Sequence, residues 1–267
     1  MRKMMTALAA FTLVAGMTAC SKTEDTEASA EAGGIAGDWK VELDSAQFEN
    51  DNRDFLLADG TWECKSCTPP YTVRTNGEWQ AIDRPGADSQ MVKIVDERTV
   101  TSASRLGDKE MGGATWTVSE DGQTMTVEFT DLSGDTPVNG TQTFTRKSEA
   151  PEGAHALSGQ WAAERMASLD DAGLTFSYGL DGETFTSSGN GSSWSATLGG
   201  EPVAIEGSES NVMAAVERTG DNSFRQTFSR DGETLSTTEL TVEGNTLSGV
   251  STDARDGSVV RWTATRQ

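Results

Sequence analysis

A sequence that gives the same signals twice, 122 residues apart, leaves few architectures open. Gly37-Asp38-Trp39 returns as Gly159-Gln160-Trp161, and Asp121-Gly122-Gln123-Thr124 returns as Glu243-Gly244-Asn245-Thr246. Thr130-Asp131 returns as Thr252-Asp253 at the same offset, while Val92 to Val100 aligns with Val216 to Phe224 two residues out of step. Solenoid modules repeat every ~20–50 residues. A period this long is the size of a whole domain, so the chain is a tandem duplication of one fold.

Each copy reads as β-structure. Stretches such as Thr115-Trp-Thr-Val-Ser, Thr124-Met-Thr-Val-Glu-Phe-Thr and Thr141-Gln-Thr-Phe-Thr alternate apolar with polar residues, the period of a half-buried strand. Turn dipeptides punctuate them: Asp59-Gly60, Asn76-Gly77, Asp121-Gly122, Asp181-Gly182, Asp231-Gly232, Glu243-Gly244 and Asp256-Gly257. Asx-Gly pairs accept the positive φ of tight hairpins, so an antiparallel meander is expected. Ser148 to Ala156 breaks the alternation and marks a linker over 148–156. The copies are then 37–147 and 157–267, with about eight strands each. Eight antiparallel strands with one apolar face close most readily as a small barrel. The expected fold is all-β, with two tandem antiparallel barrels.

The N-terminus is a targeting segment. Arg2 and Lys3 precede a short apolar run from Ala7 to Gly16, too short to span a bilayer and shaped like a secretory signal over 1–19. The ending Met17-Thr18-Ala19-Cys20 resembles the bacterial lipobox, with Met17 where Leu is usual. That resemblance implies cleavage before Cys20 and lipidation of Cys20, which anchors the chain to a membrane. With Ser21 rather than Asp after the Cys, it also implies sorting to the outer membrane of the cell envelope. Residues 20–36 contain a single large apolar side chain, Ile35, and read as a flexible tether.

The formal charge is −21, and loss of Arg2 and Lys3 with the signal makes it more negative still. Such a surface repels nucleic acid and anionic headgroups. Of three Cys, Cys64 and Cys67 remain, and in an oxidising periplasm they should form a disulfide across Cys-Lys-Ser-Cys. The other uses of that motif lack their partners. A thioredoxin-type pair needs a helix N-terminus, a haem site needs His where Thr68 stands, and zinc needs more ligands than His155 can supply.

Gly-x-Trp opens both copies at Trp39 and Trp161, and each copy ends on a basic strand residue, Arg146 and Arg266. This resembles the lipocalin signature, in which a first-strand Trp closes one barrel end and a last-strand Arg lies across its ring. The resemblance pairs Trp39 with Arg146 and Trp161 with Arg266, as structural barrel closures. Together with Asp59-Gly-Thr-Trp-Glu-Cys-Lys-Ser-Cys-Thr-Pro-Pro-Tyr71, Val95 to Val100, Val118 to Asp131 and Leu174 to Tyr178, these motifs are similar to a family of uncharacterised bacterial secreted proteins with lipocalin-like repeats. That likeness implies architecture and carries no activity.

Nothing selects a catalytic constellation. The single His lies in the linker, which removes Ser–His–Asp and Cys–His arrangements. There is no Walker loop and no Gly-x-Gly-x-x-Gly. Glu49 to Asp54 fails as an EF-hand, with Phe55 where Gly is needed and Thr61 where Glu is needed. No metal ligand set, cofactor site or catalytic residue is assigned. Trp62, Trp79, Trp116, Trp194 and Trp262 either fill the barrels or line a cavity, and filling is the commoner use. The expectation is a non-enzymatic envelope lipoprotein whose barrels bind a small apolar ligand. The alternative is a structural or protein-interaction lipoprotein with solid barrels. Cys64-x-x-Cys67 and the run from Asn50 to Asp54 occur only in the first copy, so functional divergence between the copies should sit there.

Overall fold

The structure, a computed structural model, describes residues 34–208 and 210–267; the expected signal segment 1–19 and Cys20 lie outside the described residues. The first half contains β1 (Gly37–Val41), β2 (Gln47–Glu49), β3 (Asn52–Ala58), β4 (Thr61–Cys64), β5 (Tyr71–Arg74), β6 (Gln80–Arg84), β7 (Ala87–Ile94), β8 (Thr99–Leu106), β9 (Lys109–Val118), β10 (Thr124–Asp131) and β11 (Val138–Arg146). The second half contains β12 (Gly159–Leu169), a single helical turn α1 (Asp171–Leu174), β13 (Thr175–Asp181), β14 (Thr184–Gly189), β15 (Ser192–Thr197), β16 (Val203–Ala204), β17 (Met213–Gly220), β18 (Ser223–Arg230), β19 (Glu233–Glu243), β20 (Thr246–Asp253) and β21 (Val259–Arg266). Among the described residues no helix is long and apolar enough to cross a membrane.

These strands form two nearly closed antiparallel barrels of ten strands each, rather than the expected eight. One added strand comes from the β6–β7 hairpin, which turns at Pro85-Gly86 with Gly86 at φ +75°, outside the Asx-Gly pattern. The first barrel's seam, between β5 and β6, is bridged by a side chain. The Arg74 amide donates to Gln80 Oε1 at 2.7 Å, and Gln80 Nε2 donates to the Arg74 carbonyl at 2.9 Å. In the second barrel the seam is bridged by backbone bonds between Ser193 and Glu206 at 2.7 and 3.0 Å.

The barrels are not one per copy. The first runs β5-β4-β3-β12-β11-β10-β9-β8-β7-β6, and the second runs β15-β14-β13-β1-β21-β20-β19-β18-β17-β16. Each copy donates its opening strand to the other copy's barrel. This corrects both the assignment of 37–147 and 157–267 to separate barrels and the Trp–Arg pairing. Trp39 lies under Arg266, with the guanidinium carbon 4.2 Å from the ring centroid, and Trp161 lies under Arg146 at 4.0 Å.

The connectors decide the exchange. After β1, Ser45 Oγ accepts from the Thr263 amide at 2.8 Å, β2 pairs with β21, and Glu49 accepts from Arg261 Nε at 2.8 Å. The chain is thus held along the second barrel until Asn50, at φ +57°, turns it into the first. On the return, Asp170 accepts from both the backbone and the side-chain amide of Asn139 at 2.9 Å, and the chain then passes through α1 into β13.

Both floors are built alike. Trp39 Nε1 donates to the Ile35 carbonyl and Trp161 Nε1 to the Leu157 carbonyl, each at 2.9 Å. The Gly of Gly-x-Trp is required because it holds a positive φ, +143° at Gly37 and +108° at Gly159, and because neighbouring atoms close over it. A Cβ on Gly37 would sit 2.3 Å from Arg266 Nη1, and one on Gly159 would sit 2.6 Å from the Ser148 carbonyl oxygen. Ile35 is only 2% exposed and belongs to the second core. The stretch expected to be tether up to residue 36 therefore ends earlier, because Ile35 caps Trp39. The linker is likewise ordered across the first floor, where the His155 amide donates to the Leu57 carbonyl at 2.9 Å.

The open ends of the barrels face one another. Asn190, in the β14–β15 turn, exchanges two side-chain hydrogen bonds of 3.0 Å with the Thr136 backbone in the β10–β11 loop. Arg230 of the second barrel pairs with Asp83 of the first at 2.7 Å.

Candidate functional site

The register of the two sheets fixes which inward positions correspond. Arg53 lies opposite Trp161 as Phe176 lies opposite Trp39, and Phe55 lies opposite Gly159 as Tyr178 lies opposite Gly37. On the far wall Val92 pairs with Ser102 as its repeat partner Val216 pairs with Gln226, and Gln90 pairs with Ser104 as Ala214 pairs with Phe228. The first barrel therefore carries Arg53, Val100, Ser102 and Ser104 where the second carries Phe176, Phe224, Gln226 and Phe228. Three rings are missing from one side of the first interior.

The second barrel is filled by those rings. Phe176 contacts Trp262 and Tyr178, Tyr178 contacts Phe185, and Phe185 contacts Trp194 and Phe224, with centroids 5.0–5.8 Å apart. In the first barrel the same space is a cavity of about 690 Å³, open at the end opposite Trp161 and Arg146. The mouth of the cavity is roofed by the β20–β21 turn of the second barrel, through Asp253, Arg255, Asp256 and Ser258. The cavity lining mixes polar and apolar side chains in about equal measure, and the volume falls in the ~300–1,000 Å³ range of small-molecule sites.

The inner wall is aromatic. Phe55, Trp62 and Trp116 form a triangle with centroids 4.7, 5.5 and 5.7 Å apart and planes tilted by 46–78°. The indole of Trp116 donates to Ser102 Oγ at 2.9 Å. Trp62 is 2% exposed, and its Nε1 is buried without a hydrogen-bond partner. A buried donor left unpaired costs roughly 1–3 kcal/mol. Such a group in a cavity wall is suited to an acceptor that arrives with a ligand.

The rim is charged. Asp51 is buried, placed by its carbonyl accepting from the Ala163 amide at 2.8 Å, and its Oδ1 lies 2.6 Å from Arg53 Nη1. That contact is close but poorly aligned, since the same oxygen has no hydrogen-bond donor. Burial holds the Asp51 carboxyl above its ordinary value; Arg53 opposes this, while Asp256 and Asp253 reinforce it. Burial also acts to raise Asp253, but hydrogen bonds from Arg255 outweigh it and leave Asp253 below its usual value. The Tyr71 hydroxyl is raised by burial, with Arg84 opposing. Arg84 lies 5.6 Å from the Tyr71 ring centroid and has no carboxylate in ion-pair range among the described residues.

The features unique to the first copy converge here. Cys64 and Cys67 form the disulfide, with Cα atoms 5.4 Å apart, and both line the cavity. Asn50 and Asp51 form the bend before β3 and Asn52–Asp54 open the strand, and together they deliver Asp51 and Arg53 to the rim. Of the additional tryptophans, Trp62 and Trp116 line the cavity, Trp194 and Trp262 pack in the second core, and Trp79 stacks under Arg105 at 3.9 Å. Cys20 lies outside the described residues. Arg84 and Gln90 were not singled out from sequence, and Tyr71 and the Asp256-Gly257 turn were read as a motif end and a turn, not as parts of a site. The loss of aromatic residues at positions 53, 100 and 104 relative to the second copy was the available signal.

His155 is remote in role as well as position. Its Nδ1 accepts from the Leu157 amide at 3.1 Å, which leaves Nε2–H to donate to the Asp96 carbonyl at 2.7 Å. Among the described residues no three His, Cys, Asp or Glu side chains are grouped to hold a metal ion. No protein-family model matches this chain, and a search of curated proteins finds no match to it. Fold and cavity define a class: an all-β protein of two strand-exchanged barrels, one hollow and one filled.

Proposed function

We propose that this chain is a non-enzymatic binding protein of the bacterial cell envelope, held at the outer membrane through a lipid on Cys20. Its first barrel receives a small, largely apolar ligand, and its second barrel is a scaffold that roofs the site. The observation that carries this reading is the contrast between the barrels. The same fold has its interior occupied by Phe176, Phe224 and Phe228 in the second barrel and holds an open cavity in the first. The lipobox resemblance at Cys20 supports the location, and the lipocalin-like floor supports a barrel whose opposite end admits ligand.

Charged groups do converge at the mouth, and three of the four carboxylates there accept hydrogen bonds, while Asp51 Oδ1 lies beside Arg53 without a donor. Asp51 faces Arg53, Asp253 accepts from Arg255, Asp131 accepts from the Ser133 amide and Asp256 from the Ser258 amide, the last two at 2.8 Å. The commitment of Asp131, Asp253 and Asp256 favours binding over acid–base chemistry, and Asp51 is the one carboxyl an acid–base reading would have to use. The filled second barrel favours a scaffold role for that half, as the solid-barrel alternative would have it.

Ser104→Phe imports the second barrel's Phe228 into the cavity and tests the proposal. Native mass spectrometry of protein extracted gently from its own envelope should show a noncovalent adduct on the parent chain and none on the variant. An adduct retained by a folded Ser104→Phe protein would place the ligand elsewhere and defeat the reading.

A further inference from the structure

The lining of the cavity narrows the ligand further, and this step rests on the binding reading just given. Three features must be met together. The triangle of Phe55, Trp62 and Trp116 offers tilted faces and edges, which suit a flat aromatic body in offset or edge-to-face contact. Trp62 Nε1 is a buried donor without an acceptor. The indoles of Trp39, Trp161 and Trp116 by contrast all donate at 2.9 Å to atoms of the protein. The third feature is Arg84.

Arg84 is the uncompensated cation of the lining. Arg53 and Arg255, the other two guanidiniums there, face Asp51 and Asp253. Arg84 instead lies beside Tyr71, with no carboxylate in range among the described residues. The remaining acids of the rim, Asp131 and Asp256, are occupied by backbone amides of their own turns. A guanidinium with free donors at the mouth of an aromatic cavity is matched by a carboxylate, which it can hold through two parallel bonds.

We propose that the first barrel takes a small aromatic carboxylate, its ring against Phe55, Trp62 and Trp116, an acceptor atom on Trp62 Nε1 and its carboxylate on Arg84. The protein's net charge of −21 repels such an anion at long range. At physiological salt that repulsion is screened beyond about 8 Å, so the local guanidinium decides. Arg84 and Trp62 are then the residues that set specificity, the first reading charge and the second reading a hydrogen-bond acceptor.

The test compares 2-naphthoate with neutral 2-naphthamide by isothermal titration calorimetry at 0.15 M salt, on the folded two-barrel chain. Naphthoate should bind once per chain and more tightly than naphthamide. Arg84→Gln should weaken naphthoate by about tenfold or more, the usual worth of a hydrogen bond to a charged group, and leave naphthamide nearly unchanged. Trp62→Phe keeps an aromatic wall but removes the donor, and should weaken quinoline-6-carboxylate, whose ring nitrogen supplies the second acceptor, by a few-fold while leaving 2-naphthoate, which has none, nearly unchanged. If both probes bind and both are lost in Ser104→Phe, but naphthoate has no advantage or Arg84→Gln has no effect, this inference falls while the binding reading stands. If neither probe binds at millimolar concentration, this inference falls and the binding reading is decided by the native mass-spectrometry comparison; if probe binding survives Ser104→Phe, both fall. Circular dichroism and thermal unfolding of each variant separate loss of site from loss of fold.

Discussion

The exchange of opening strands is most directly tested by asking which Trp each Arg feels. Arg146 lies over Trp161 at 4.0 Å. Its guanidinium also donates to the carbonyls of Gly122, Ser148, Ser158 and Ala156. Arg146→Met keeps the aliphatic stem and removes the fork. A hydrogen bond to a charged group contributes roughly 1.5–3 kcal/mol, but several of these carbonyls can be rehydrated at the barrel end, so a total near 3 kcal/mol is expected. Trp161→Leu, at a fully buried ring, should cost about 2–4 kcal/mol by the usual large-to-small penalty. The double mutant carries the decisive quantity. A partly desolvated cation–π contact is worth about 1–2 kcal/mol, so the Trp161–Arg146 cycle should be non-additive by that amount in urea unfolding. Trp39 belongs to the other barrel, and its cycle with Arg146 should be additive within about 0.5 kcal/mol. Strong coupling of Arg146 to Trp39, with Trp161 additive, would return each strand to its own copy and refute the topology.

Other outcomes follow from single sites. Replacing both Cys64 and Cys67 by Ala opens a loop with a sequence separation of 3; chain entropy for so short a loop puts the loss at about 2 kcal/mol, and a loss above 4 kcal/mol in urea melts would contradict a merely local brace. Asp51 binds its proton more tightly folded than unfolded, so its contribution is full below about pH 4 and is lost as pH rises through the folded value. Asp51→Asn should therefore gain stability relative to the parent between pH 4 and pH 7, and an unchanged difference across that window would count against the burial argument. Asp170 is opposite in sign: amide bonds from Asn139 lower it, so its stabilisation is present at neutral pH and fades on acidification, a dependence that Asp170→Asn should reduce. Cys20→Ser should move the chain from the membrane to the soluble fraction of fractionated cells, and continued sedimentation with membranes would remove the lipid anchor from the proposal.

Much of the architecture was legible because it is written in local rules. Alternation in Thr124 to Thr130 and the turn at Asp121-Gly122 report strand and hairpin without tertiary information, and both recur in the second copy. The Gly-x-Trp and terminal Arg signals likewise located the floors, since a Trp that must be covered by a guanidinium needs a residue without Cβ beside it. The pairing of those signals was not legible. Gly37-Asp38-Trp39 and Gly159-Gln160-Trp161 present the same Gly and Trp to an Arg at the end of a strand, so either could satisfy either. Ile35 was misread for a related reason: one apolar residue in a polar run has no period to betray it, and only the bond from Trp39 shows what it caps.

What the sequence determined by itself is therefore the repeating part: two copies, all-β, hairpin-linked, each with one floor Trp and one floor Arg, and with a disulfide in the first. Those features depend on contacts between near neighbours or on residue types that serve one purpose. Only the tertiary structure decided which copy owns which opening strand, because that depends on how Ser45, Glu49 and Asn50 steer a connector along β21. It alone also decided that one barrel is hollow. Arg53, Val100 and Ser104 lie on separate strands, and the space they leave exists only where the closed sheet brings those strands round one interior.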